Sequence, residues 1–154
     1  MSPCGSTTTE NRVAGRGETI LLVEDEAFVR EVTCCVLQSA GYEVLSTADA
    51  DEALWTFSRH EGPVHLLLTD MVMPGKNGPA LAAELGALSP EMKTILTSGY
   101  GDSVILDDVC RNSRVFYLPK PFTVQSLTRK VRNVLDDTEP AGLNTTITAG
   151  AGIP

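Results

Sequence analysis

One carboxylate in this sequence stands where a side chain can do chemistry. Asp70 follows the apolar run Leu66–Thr69 and precedes Pro74 and Gly75, a pair that ends strands in loops. Residues 64–69 lack clean alternation, which is typical of a strand covered on both faces of a parallel sheet. The pattern predicts that Asp70 lies at the carboxyl end of that strand, the edge where open α/β sheets bind ligands. A helix cap or turn residue remains the simpler alternative.

Acidic side chains also follow an earlier apolar segment. Thr19–Val23 is predicted as a strand, and Glu24 and Asp25 must lie at its end, because a buried strand does not tolerate acids in its interior. If this strand neighbours the one that carries Asp70, the carboxylates converge and repel one another unless a cation intervenes. Oxygen ligands without thiolate or imidazole select Mg²⁺ or Mn²⁺. The sequence therefore predicts a site for a hard divalent metal.

Two groups that bind phosphate follow later strands. Ser98 comes after the strand predicted from Lys93 to Thr97, and Lys120 stands between two prolines after the strand from Val115 to Leu118. In a parallel sheet these strand ends reach the same edge as Asp70. An ammonium and a hydroxyl can each bind an oxygen of a phosphoryl group.

The elements that must position these residues alternate along the chain. Strands are predicted at Thr19–Val23, Tyr42–Thr47, 64–69, Lys93–Thr97 and Val115–Leu118. Helices are predicted from Ala27 to Gly41, from a capping box at Asp49 and Glu52, through Leu81–Leu88, through Val104–Val109 and through Val124–Val134. The first is identified by the helical spacing of Phe28, Val32, Cys35 and Val36. This alternation predicts an α/β fold, a doubly wound five-stranded parallel sheet of flavodoxin-like order 2-1-3-4-5 in a single three-layer domain.

The amino-acid composition indicates the domain limits, the class of partner and the location of the protein. Residues 1–17 and 138–154 are small and polar, so we expect a flexible arm and a flexible tail around a domain at 18–137. A net charge of −8 argues against a nucleic-acid partner. The apolar runs are too short to cross a bilayer and no secretion signal is recognisable, so the expectation is a cytoplasmic protein without membrane contact.

Taken together, these motifs resemble the receiver domain of two-component response regulators. The fragments that carry the resemblance are LLVEDE, LLLTDMVMPGKNG, ILTSGYG and YLPKPF, in this order and each at a predicted strand end. The register from Asp70 through Ser98 to Lys120 is also similar to that of the family. It favours Ser98 over Thr97 as the switch residue, and Thr97 is expected to point into the flank of the sheet.

The resemblance implies a phosphorelay function. Asp70 would take a phosphoryl group from a phosphohistidine on a histidine kinase or histidine phosphotransfer protein, with Lys120 and Ser98 binding that group. Mg²⁺ would be held by Asp25, Asp70 and the backbone carbonyl of Val72, with Glu24 acting through water. Ser98 and Tyr117 would form the conformational switch, and the bond before Pro121 would be cis.

The resemblance also sets expectations about context. Such a domain is a phosphoacceptor of signal transduction rather than an enzyme. The segments GRGETILLVEDE and TSGY are similar to those in receivers of hybrid histidine kinases, and a stand-alone protein is the alternative. A homodimer through the Val104–Val109 helix, the fifth strand and the last helix is a further expectation.

Two other functions share this residue pattern. An aspartyl-phosphate phosphohydrolase would use the same nucleophile and metal, but such enzymes usually carry a second acid two residues later, where Val72 stands. An interaction module that is never phosphorylated is the other alternative.

Overall fold

A computed structural model describes residues 17–73, 75–98 and 115–136 of the chain. The sheet within these residues has five parallel strands in the order β2-β1-β3-β4-β5, as predicted. The strands are β1 Thr19–Val23, β2 Glu43–Thr47, β3 Leu66–Asp70, β4 Lys93–Ser98 and β5 Val115–Pro119. The helices are α1 Ala27–Ser39, α2 Ala50–Arg59, α3 Gly78–Leu88 and a last helix, Val124–Leu135. The helix predicted through Val104 and Val109 lies outside the described residues, as do residues 1–16 and 138–154.

Helices cover both faces of the sheet, so the predicted three layers are present. One apolar cluster joins alternate residues of the strands, such as Leu22 and Leu68, to α1 and the last helix. A second cluster joins the residues between them, such as Leu21 and Leu67, to α2 and α3. Because successive strand residues point to opposite faces, a strand buried on both sides needs apolar residues without alternation. This explains why β1 and β3 are apolar runs.

Helix ends are fixed by local hydrogen bonds. The Asp49 side chain accepts from the Glu52 N–H at 2.8 Å, which confirms the predicted cap of α2. The Glu52 carboxylate accepts from the backbone N–H of Ala48, whereas in the predicted capping box it would accept from the backbone N–H of Asp49. After α1 the chain turns at Gly41, whose φ of +102° is a left-handed conformation that suits glycine.

The helix predicted at α1 is present, but its buried face differs from the pattern that identified it. Phe28 is 76% exposed and Val32 is 46% exposed, whereas Thr33 and Leu37 are buried against the sheet. Of the residues in that pattern, Val36 packs against the first apolar cluster, so the apolar spacing located the helix but identified its packed side only in part. None of the helices in the described ranges has the length and apolar character of a membrane span.

A buried arginine ties the last helix to the start of the sheet. The Arg132 guanidinium donates to Glu18 at 2.8 Å and to Asp136 at 2.9 Å, and it lies 5.8 Å from the centre of the Tyr42 ring. Both hydrogen bonds are charge-assisted. Hydrogen bonding to Glu18 raises the pKa of Arg132 beyond its usual range, so the group stays charged.

We expect Arg132→Ala to lower the free energy of unfolding by about 2–3 kcal/mol, because Glu18 would lose its charged partner in a mostly buried position. Urea denaturation measures the change. Arg129→Ala, on the exposed side of the same helix, is the matched control and should change stability by less than about 0.5 kcal/mol. Equal losses in the two variants would contradict a specific role for the buried arginine.

Candidate phosphoryl-transfer and metal site

Carboxylates from two neighbouring strands meet at the carboxyl edge of the sheet. Oxygen atoms of Glu24, Asp25 and Asp70 lie within 4.8 Å of one another. Glu24 and Asp70 are buried, at 4% and 9% exposure, while Asp25 is exposed. The predicted convergence of these acids is confirmed. Because β1 pairs directly with β3, residues at the carboxyl ends of these two strands are neighbours.

Lys120 bridges the two buried carboxylates. Its Nζ lies 3.2 Å from Glu24 Oε1 and 3.2 Å from a carboxylate oxygen of Asp70. The Lys120 backbone N–H donates to the Ser98 carbonyl at 2.8 Å, which anchors the residue beside the end of β4. The bond between Lys120 and Pro121 is cis, as the resemblance implied. The hydrogen bond from its backbone N–H to Ser98 fixes the position from which the lysine reaches the acids.

The surroundings of this site raise the pKa of both Glu24 and Lys120. Burial raises the pKa of Glu24, and the nearby charge of Asp70 raises it further, while Lys120 and the Glu26 N–H partly counter both effects. Burial acts to lower the pKa of Lys120, but the charges of Asp70 and Glu24 outweigh it, so that this pKa is raised overall. The lysine is therefore held in its charged form, as a phosphate-binding group requires.

The donor set fits a hard divalent cation. The three side chains that offer oxygen ligands here are carboxylates, and Mg²⁺ is commonly held by one or two such groups together with water and phosphate oxygens. The exposed Asp25 also leaves an approach from solvent. Val72, the predicted backbone ligand, follows Asp70 by two residues, and its side chain is 61% exposed.

The two hydroxyls at the end of β4 serve different partners. Ser98 Oγ lies 3.0 Å from the Tyr117 hydroxyl, so the two predicted switch residues are in contact. Thr97 Oγ1 lies 3.3 Å from Asp70 Oδ1. The expectation that Thr97 points into the flank of the sheet is therefore wrong. Thr97 is the paired residue of Asp70 on the neighbouring strand, and paired residues of parallel strands share a face.

Two further residues at this edge were missed by sequence reasoning. Arg30 of α1 donates to the Glu24 carbonyl at 2.8 Å and fixes the end of β1. Gly78 begins α3 against the backbone of Asp70, and a Cβ placed on it would lie 2.2 Å from the Asp70 carbonyl oxygen. No helical periodicity signals either contact, although the Asn77-Gly78-Pro79 sequence does predict a helix start.

The chain is similar to known proteins over most of its length. A family model described as the response regulator receiver domain matches residues 20–132. Sensor kinase CckA of Brucella abortus is 37% identical over 118 residues, which cover 77% of this chain and 12% of that protein. The transcriptional regulator NtrC of Azospirillum brasilense is 32% identical over 126 residues, covering 81% of this chain and 26% of that protein. The chain thus spans only a small part of these relatives.

Solved structures show the same similarity. The receiver domain of the hybrid histidine kinase CckA matches with a TM-score of 0.64 and 32% identity, over 76% of this chain and 98% of that one. A response regulator receiver domain protein from Clostridium thermocellum matches with a TM-score of 0.71 and 28% identity, over 78% of this chain and 95% of that one.

Gly78→Ala should displace the Asp70 backbone and lower the free energy of unfolding by about 1–3 kcal/mol, because the added methyl group has no room beside a carbonyl oxygen. Thermal or urea unfolding measures the change, and Mg²⁺ affinity should fall with it. Gly86→Ala on the same helix is the control, since a Cβ there meets nothing within 4 Å. That variant should gain about 0.5–1 kcal/mol through helix propensity. A neutral Gly78→Ala would refute the close approach.

Proposed function

Because this chain belongs to the response regulator receiver family, a group of phosphoacceptor domains of two-component signalling, we propose that Asp70 is its phosphoacceptor. The donor would be a phosphohistidine on a histidine kinase or a histidine phosphotransfer protein. A carboxylate oxygen of Asp70 forms the bond to phosphorus while the bond between phosphorus and the histidine nitrogen breaks, and the released imidazole takes up a proton. The product is a phosphoaspartate.

The observation that carries this proposal is the contact of one ammonium with two buried carboxylates at the edge of the sheet. Lys120 lies 3.2 Å from Asp70 and 3.2 Å from Glu24. An ammonium beside the acceptor can bind an oxygen of the arriving phosphoryl group and offset its negative charge. Phosphoryl transfer needs positioning and charge neutralisation above all, and these residues supply both.

We propose Mg²⁺ as the cofactor, with Mn²⁺ able to replace it. Asp25, Asp70 and the backbone carbonyl of Val72 would be direct ligands, and Glu24 would act through water. The difference between Glu24 and Asp25 supports their different roles: the buried Glu24 carboxylate accepts hydrogen bonds from Lys120 and from the Glu26 N–H, whereas Asp25 is exposed. When bound, the cation would offset the repulsion that excludes an anionic donor from the acidic site.

Ser98 and Tyr117 are proposed as the switch that reports phosphorylation. Their hydroxyls are 3.0 Å apart, and the Tyr117 ring packs against the small apolar cluster of Met71, Leu96 and Val115. A phosphoryl group that draws the Ser98 hydroxyl toward it would remove this hydrogen bond from Tyr117. The altered face would then be available for a partner or for homodimer formation through β5 and the last helix.

Context is proposed from similarity. The similarity to CckA favours the receiver of a hybrid histidine kinase. The proposed receiver domain spans residues 18–137, and its proposed location is the cytoplasm. We propose that the domain itself is a phosphoacceptor and not a turnover enzyme. Val72 supports this, since an apolar side chain stands where phosphohydrolases of this chemistry carry a second acid.

Acetyl phosphate with Mg²⁺ should add one phosphoryl group to the parent protein, and Asp70→Asn should abolish this addition because the nucleophilic oxygen is lost. Intact-mass measurement detects the product. Asp51→Asn, which removes an exposed acid of α2, is the matched control and should be labelled like the parent. Equal labelling of Asp70→Asn would overturn the assignment of the acceptor.

Asp25→Ala should weaken Mg²⁺ binding about tenfold more than Glu24→Ala, because a direct ligand contributes more than a carboxylate that acts through water. Calorimetric titration of the two variants tests this order. Glu26→Ala removes the exposed third acid of the same loop and serves as the control for general loss of negative charge. Similar losses for Asp25→Ala and Glu24→Ala would show that the proposed coordination is wrong.

A further inference from the structure

Thr97 provides a hydroxyl beside the acceptor carboxylate. Its Oγ1 lies 3.3 Å from Asp70 Oδ1 and 3.5 Å from the Thr69 carbonyl oxygen. Thr97 is 3% exposed and Asp70 is 9% exposed, so water has little access to this contact. A hydroxyl has one proton to donate, and the nearer, charged oxygen is the stronger acceptor. The geometry therefore favours a hydrogen bond from Thr97 to the carboxylate.

The sheet gives this hydroxyl a fixed direction. Thr97 pairs with Asp70 across β3 and β4, and both side chains point to the face covered by α1 and the last helix, as Ile95 and Leu68 do two residues earlier. Ser98 points to the opposite face and reaches Tyr117. Threonine is also branched at Cβ, which restricts rotation of its side chain. Thr97 is thus placed to hold Asp70 in one orientation.

We propose that Thr97 is a positioning residue for the phosphoacceptor. Its hydroxyl donates to Asp70 Oδ1 and fixes the rotation of the carboxylate, so that the attacking oxygen faces the incoming phosphorus. Transfer to an oriented group is faster than transfer to one that changes orientation, and Thr97 adds a second contact to the one that Lys120 makes with this carboxylate. This role deepens the proposed function and rests on it, because it assumes that Asp70 accepts the phosphoryl group.

Thr97→Val removes the hydroxyl and keeps the shape and β-branching of the side chain. We expect the rate constant for labelling by acetyl phosphate, at fixed Mg²⁺, to fall about three- to tenfold, the effect of one lost hydrogen bond. Thr97→Ser should restore most of the rate, because it returns the hydroxyl. Thr47→Val is the matched control, since the Thr47 hydroxyl is buried and donates to the Leu22 carbonyl. Its rate should equal that of the parent.

A spectroscopic measurement tests the contact without phosphorylation. The ¹³C resonance of the Asp70 carboxylate, assigned from its loss in Asp70→Asn, should shift in Thr97→Val and stay unchanged in Thr47→Val. An unshifted resonance, or a Thr97→Val rate equal to that of the parent, would overturn the positioning role. A parent protein that takes no label would instead overturn the proposed function, and the resonance would then decide whether Thr97 contacts Asp70.

Discussion

The contact of the Lys120 ammonium with Glu24 and Asp70 is the interaction on which the site depends. Two carboxylates about 4 Å apart near a protein surface repel by about 4 kcal/mol, an amount comparable to the whole stability of a small domain. Without a cation, the two acids would have to separate or take up a proton. The lysine makes their close approach tolerable, and it comes from a different strand end than either acid.

The parallel sheet brings these three groups together. Glu24 follows β1, Asp70 ends β3 and Lys120 follows β5, and these ends meet at one edge because every strand runs in the same direction. Apolar clusters on both faces hold the sheet, so the cost of the acidic edge is offset by burial elsewhere. The Arg132 contact with Glu18 lies at the start of β1, away from the acids at its end. The stabilising contact of Arg132 and the proposed reactive site thus lie at opposite ends of β1.

Much of this arrangement could be predicted from sequence, because apolar runs and turn residues act locally. The strands, their order and the meeting of Glu24, Asp25 and Asp70 follow from such patterns. Side-chain direction at element ends was harder to predict. The exposure of Phe28 depends on how α1 is rotated against the sheet, and the approach of Gly78 to Asp70 depends on tertiary packing. Neither the rotation of α1 nor the approach of Gly78 produces a periodic pattern in the sequence.

Thr97 and Ser98 are adjacent at the end of β4, and their hydroxyls contact residues on opposite faces of the sheet. Alternation along β4 alone does not determine which face Thr97 takes. Its pairing with Asp70 does, because paired residues of parallel strands place their side chains on the same face. With that register, the neighbouring hydroxyls of Thr97 and Ser98 must point to opposite sides. Backbone hydrogen bonds from Met71 to Thr97 and from Lys120 to Ser98, each 2.8 Å, join the ends of β3, β4 and β5.

A change at the acceptor therefore has a short route to the far face of the sheet. Under the proposed function, a phosphoryl group on Asp70 would draw Lys120, whose own backbone is bonded to the carbonyl of Ser98. The Ser98 hydroxyl meets Tyr117 on the other side. These groups are linked by direct hydrogen bonds at one edge of the sheet, and Tyr117 packs against the small cluster of Met71, Leu96 and Val115. The proposed switch would therefore act on that small cluster, while the close packing of the two larger clusters would resist rearrangement.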